Sequence, residues 1–221
     1  MSEPFAQAQR VRRIAPNLGH FTVYDDRIDG RSDAYALFTP HGTVLVDPLP
    51  LTPKALASLG DITAIVLTIQ SHQRSSWRYR RSHGARVFAP KGAVGLEEKP
   101  DVHYEDGDEL PGGLLALRAP GPAFESYVLL QKRRGGLLAF LGDLLIRNRR
   151  GDFEFVPDVY MDDPLAARAS VARLAALPFL RGLCPGHGAP LLRGAKDAMA
   201  RALAADERRR RAAEGISPSP G

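Results

Sequence analysis

A chain of 221 residues that is 44% hydrophobic suits one large α/β domain with a real core. No apolar run approaches the roughly 20 residues of a membrane span. The first residues lack the apolar stretch of a secretory signal, and the lone Cys184 excludes a disulfide framework or a cysteine-rich zinc module. A cytoplasmic protein with no membrane partner is therefore expected.

The net charge is +5, yet only five of the 30 basic residues are lysines, in a chain rich in Ala, Gly and Pro. A GC-rich genome gives that bias without selection for an anionic partner. The runs at 78–81 (RYRR), 132–134 (KRR), 147–150 (RNRR) and 208–211 (RRRR) lie far apart and read as solvated faces.

In chain order, residues 19–24, 34–39 and 43–46 are rich in β-branched and aromatic side chains and predict strands. Pro40-His41-Gly42 is a short hairpin connection. Asp47-Pro48 stops the third strand, and Thr52-Pro53 opens a short helix over 54–59. The apolar run 62–68 predicts a buried parallel strand, followed by a polar stretch, a helix ending at Gly84 and a strand over 86–89. A meander over 102–104, 114–118, 127–131 and 137–141 is punctuated by glycines. Asp163-Pro164 opens a helix over 165–177. Leu183-Cys184 leads into the loop Pro185-Gly186-His187-Gly188, and a last helix covers 194–211. The small, Pro-rich residues 212–221 are expected to be a disordered tail after a single domain over 1–211.

Polar residues follow the apolar strands after Val46, after Thr68 and after Leu141, and precede Gly188, where α/β folds tend to place their sites. Asp143 and His187, each beside a glycine, are plausible metal ligands by residue type. The segments LVDPLPL (45–51), DITAIVLT (61–68), RAPGP (118–122), FLGDLL (140–145) and LCPGHGAPL (183–191) resemble, in this order, the metallo-β-lactamase superfamily. The resemblance runs from about Val11 to Leu203. It implies an α/β fold, the four-layer αββα sandwich, with a site along one edge of the two sheets.

The departures are as informative. The family's H-x-H-x-D-H motif falls on Ile69, Ser71, Gln73 and Arg74, and its Pro-Gly-His histidine on Pro122. Ile69 offers no donor atom and Arg74 is a fixed cation. The stretch from Thr68 to Arg74 resembles degenerate members with a Thr-Asn-x-x-His-x-Arg pattern. Asp143 and His187 remain, with Gln73 as a weak carbonyl donor, which is too few ligands for a tight zinc site.

His72 has two readings: a partly exposed loop imidazole, or a third ligand beside Asp143 and His187. Gln73, Arg74 and Glu125 are expected to line the same pocket. Asp47 is expected to tie the 69–74 loop, and Arg74 to pair with Asp143 in place of a metal. Trp77 and Tyr79 among arginines suggest a stacking surface for nucleic acid or, alternatively, a buried helix face.

Three functions stay open. The favoured one is a protein without dinuclear zinc hydrolase activity that binds a small ligand or a partner and needs no metal. The second is a hydrolase with one zinc, iron or manganese ion on His72, Asp143 and His187. The third is a basic nucleic-acid-associated module.

Overall fold

The structure, a computed structural model, describes residues 3–213. Strands β1 (Arg12–Ala15), β2 (Leu18–Asp25), β3 (Gly30–Thr39) and β4 (Gly42–Val46) are antiparallel neighbours. Helix α1 (Pro53–Ala57), capped by the Thr52 hydroxyl, returns the chain to β5 (Ile62–Val66). Helix α2 (Ser76–His83) ends at Gly84, whose φ of 68° suits a residue without Cβ, and returns it to β6 (Arg86–Pro90). With β7 (Val102–Tyr104), β4 to β6 form a parallel run, and all seven strands make one sheet in chain order.

The second sheet is an antiparallel meander of β8 (Glu109–Leu110), β9 (Leu114–Arg118), β10 (Tyr127–Arg133) and β11 (Gly136–Gly142). A two-stranded ribbon follows, β12 (Ile146–Arg147) with β13 (Phe153–Glu154). Helix α3 (Pro164–Ala175) is capped by the Asp163 carboxylate, which accepts from Ala166 N at 2.9 Å. Strand β14 (Leu180–Pro185) then adds in parallel to β11, and α4 (Ala195–Ala213) completes the described chain.

Alternating side chains show why this becomes four layers. Val128 and Leu130 of β10, with Ala139 and Leu141 of β11, pack with Val171 of α3 and Met199 of α4. Their neighbours Leu129, Leu138 and Phe140 face the other way, against Val44, Val46 and Val66 of the first sheet. Leu45 and Ile65 turn outward to Ala55 of α1 and to Trp77 and Tyr79 of α2. Three separate apolar cores thus join helix, sheet, sheet and helix.

Some sequence expectations need correction. Val102–Tyr104 completes the first sheet and is not part of the meander. The strands β1, β8, β12 and β13 have no counterpart in the sequence reading. Helix α4 continues through Ala212 and Ala213, two residues past the expected start of the tail; residues 214–221 lie outside the described ones. No helix among the described residues is long and apolar enough to cross a membrane.

The two ends of the sandwich differ. At the end where β4, β5, β11 and β14 finish, the sheets are stitched together. Asp33 N donates to Gly186 O at 2.8 Å, Tyr127 N to Thr68 O at 2.9 Å, and the Tyr35 hydroxyl to Pro185 O at 2.8 Å. The opposite end opens into a cavity between the sheets.

Candidate metal centre

At the stitched end, four loops bring together residues far apart in sequence. Asp47 follows β4 and is buried. Its Oδ1 accepts from Thr68 N at 2.8 Å, and its Oδ2 accepts from Thr68 Oγ1 at 2.6 Å and faces His72 Nδ1 at 2.9 Å. The 69–74 segment winds as a short 3-10 turn over Gln70–Gln73. That turn buries Ile69 and His72 and leaves Ser71 exposed. A one-residue shift in the motif thus puts the imidazole inside, so His72 is 2% exposed and is not a surface loop residue.

His72 Nε2 lies 3.0 Å from Asp143 Oδ1, and His187 Nε2 lies 3.2 Å from the same oxygen. His187 Nδ1 is 2.8 Å from Arg31 O, a group that can only accept, so Nδ1 carries a proton. His72 Nδ1 likewise faces a carboxylate. Both rings therefore turn Nε2 toward Asp143. Neither contact has hydrogen-bond geometry: His72 Nε2 and Asp143 Oδ1 are buried without a hydrogen-bond partner. One donor atom from each of the three residues lies within 4.8 Å of the others.

Burial by itself would raise the Asp143 carboxyl, but the facing imidazoles outweigh it and hold it well below the usual carboxylate range. Burial and the Arg74 charge push His72 down; Asp143 and Asp47 outweigh them and leave it raised. Two arrangements would answer His72, an imidazolium or a cation shared by the two Nε2 atoms and Asp143, and only the second also answers the His187 Nε2 lone pair.

Arg74 does not make the expected pair with Asp143. Its guanidinium donates to Asp33 O at 3.0 Å, Asp47 O at 3.2 Å and Gly186 O at 3.5 Å, all backbone carbonyls. The residue is 5% exposed with φ 35°, a conformation rare for a side chain with Cβ. Gln73 and Glu125 also stand apart from the cluster. The Gln73 amide is engaged by Gly95 O, Trp77 Nε1 and Glu97 N, and Glu125 pairs with Arg118 at 2.9 Å. Trp77 and Tyr79 are buried, which removes the stacking surface, and the arginines around them meet Glu3, Glu98 and Asp101.

Two supporting residues, Asp33 and its partner His20, escaped the sequence reading. Asp33 is 1% exposed; its Oδ1 faces His20 Nε2 at 2.6 Å and its Oδ2 accepts from Gly188 N at 2.6 Å. It thereby fixes the loop that carries His187. The pair register His20↔Tyr35 puts Asp33 diagonally across on the same face, a contact visible only once the register is known.

Gly186 completes the packing: a Cβ there would stand 2.6 Å from His72 Cε1 and 2.9 Å from Gly142 O. Gly186→Ala is expected to cost about 1–3 kcal/mol as overpacking against His72 and backbone. Urea denaturation measures it; an unchanged midpoint would mean that His72 is free to yield.

A sequence profile of the Metallo-beta-lactamase superfamily matches residues 12–206. No curated protein matches at a comparable level. Among solved structures, a metallo-beta-lactamase from Pontibacter korlensis superimposes with a TM-score of 0.73 at 16% identity, covering 90% of this chain and 98% of that one. FIM-1 of Pseudomonas aeruginosa, in its mono-zinc form, gives 0.66 at 14%, covering 93% and 99%. A metallo-beta-lactamase family protein of Thermus thermophilus gives 0.64 at 21%, covering 94% and 85%. These likenesses concern the fold. With nearly the whole chain under one family profile and the four-layer sandwich in place, the chain belongs to the metallo-beta-lactamase superfamily.

Proposed function

We propose that the protein binds one divalent transition-metal ion through His72 Nε2, His187 Nε2 and Asp143, and is a mononuclear metal-dependent hydrolase. The carrying observation is that both histidines commit Nδ1 to an acceptor and aim Nε2 at one buried oxygen that lacks a hydrogen bond. Donor atoms about 2.0–2.1 Å from a tetrahedral zinc stand roughly 3.3 Å apart; here the two separations from Asp143 Oδ1 are 3.0 and 3.2 Å.

The surroundings fit the same reading. Asp47 holds the His72 ring as an outer-shell carboxylate, and the Arg31 carbonyl does so for His187. Asp143 and His187 keep about a fifth of their side chains exposed, so the cluster is reachable from solvent on that side. Three protein ligands with a solvent-facing side is the donor pattern of catalytic sites, and zinc, iron and manganese all accept this set. When bound, such an ion supplies Lewis-acid polarisation of a carbonyl or phosphoryl oxygen. The chain's own residues fix the tautomers and aim the donors.

Elemental analysis of protein purified without chelator should give about one zinc, iron or manganese per chain, and His187→Ala or Asp143→Asn should lose it. Metal-free protein that also takes up no added zinc or manganese would overturn the reading. A second reading, a metal-free ligand-binding protein with a His72 imidazolium, is favoured by the carboxylates of Asp47 and Asp143 on either side of the buried ring, which leave His72 raised. It predicts that result.

A further inference from the structure

The far end of the sandwich carries features that the metal reading does not use. A cavity of about 970 Å³ opens there between the sheets. It lies at the starts of β4, β11 and β14, whose other ends lead to Asp47, Asp143 and His187. Seven residues of β11 at about 3.3 Å each put roughly 20 Å between the two places.

The cavity's floor is apolar. Val44 and Leu138 belong to the core between the sheets, and Phe38 and Leu192 add further carbon surface. Its polar lining is one-signed: Lys132, Arg133, Arg134, Arg181 and Arg193 all face it, and no Asp or Glu lines it. None of these five cations has a carboxylate partner among the described residues. By contrast, the arginines on α2 are answered by acids.

Two of the guanidiniums are positioned by neutral acceptors. Arg133 reaches Gln131 Oε1 at 3.0 Å and the Pro16 carbonyl, and Arg181 donates to Arg134 O at 3.1 Å. Gln131 is itself buried and held by Gly112 O at 2.9 Å. Hydrogen bonds to neutral oxygens orient a guanidinium without cancelling its charge. Converging like charges repel unless an anion answers them. Arginine forks suit phosphate oxygens bidentately, and the volume lies in the range of small-molecule sites.

We propose that this cavity binds a phosphorylated small molecule of about nucleotide size, with its phosphates on Lys132, Arg133, Arg134 and Arg181 and its apolar body against Phe38 and Leu138. A concave, apolar-floored cavity favours such a ligand over a nucleic-acid strand, which needs an open groove.

Isothermal titration of the intact protein with ATP at low salt tests it. Binding is expected that weakens with added salt. Arg181→Gln should weaken it at least about tenfold. So should the combined Lys132→Gln and Arg134→Gln, two exposed positions where loss of fold is no concern. Arg210→Gln on α4 and His187→Ala at the metal centre should leave it unchanged. Loss in His187→Ala would move the nucleotide to the metal centre and overturn the proposal. So would absence of binding, or an equal loss in Arg210→Gln. Pyrophosphate binding as tightly as ATP would remove the apolar half, and an oligonucleotide binding more tightly than ATP would reassign the cavity to nucleic acid.

Discussion

Asp47→Ala is expected to destabilise the protein by about 3–5 kcal/mol, the range for breaking a buried, hydrogen-bonded charge. The carboxylate is 3% exposed and serves Thr68 N, Thr68 Oγ1 and His72 Nδ1. Removing it strands two buried N–H groups, each worth about 1–3 kcal/mol when left unpaired. The backbone adds to the loss. Asp47 has φ 49°, a conformation that Asp and Asn adopt more readily than Ala. Asp47→Asn keeps that conformation and one acceptor oxygen, and should lose clearly less. Chemical denaturation of both variants decides: a loss below about 1 kcal/mol for Ala, or equal losses, would show that Asp47 is not the tie between β4 and the 69–74 loop. Metal affinity should fall about 10–100-fold in either variant, the usual effect of removing an outer-shell partner.

Arg74→Ala should cost a similar amount, about 3–5 kcal/mol. Burial pulls the Arg74 guanidinium down; Asp47, Asp143 and Asp33 oppose that, and the net shift remains downward. Those carboxylates lose a nearby cation in the variant, and the carbonyls of Asp33 and Asp47 lose a donor. Arg74→Lys separates charge from shape. A single ammonium on a shorter stem cannot reproduce a planar fork, so Lys should recover less than half of the loss. Full recovery by Lys in urea denaturation would show that the charge alone matters.

The residues themselves explain how much is legible. Asp143 and His187 sit in segments with strong local character, FLGDLL and CPGHG; the strand before Asp143 reads correctly from composition, whereas of β14 only its end at Leu183-Cys184 does. The helices opened by Thr52-Pro53 and Asp163-Pro164 are equally plain, because capping chemistry is local. His72 is harder. Its inward direction depends on a 3-10 turn ending in the unusual backbone of Arg74, which no propensity encodes. Charge logic pairs the Arg74 side chain with Asp143, but its nearest acceptors are carbonyls from three distant segments. Asp33 with His20 is a cross-strand contact, and the two-residue strands β8, β12 and β13 are too short to display a period.

The unequal ends of the sandwich also bear on its motions. Where backbone and side chains bridge the sheets at Asp33, Tyr35, Tyr127 and Gly188, a local opening must break several buried hydrogen bonds at once. At the cavity end, turns rich in glycine, including Gly112, Gly113, Gly135 and Gly136, flank open volume. Low-energy fluctuations concentrate where such cooperative bonds are few. The two sheets should therefore breathe like a clamshell hinged at the histidine cluster, with small amplitude where donor atoms must stay aligned and large amplitude where a guest of variable shape would enter.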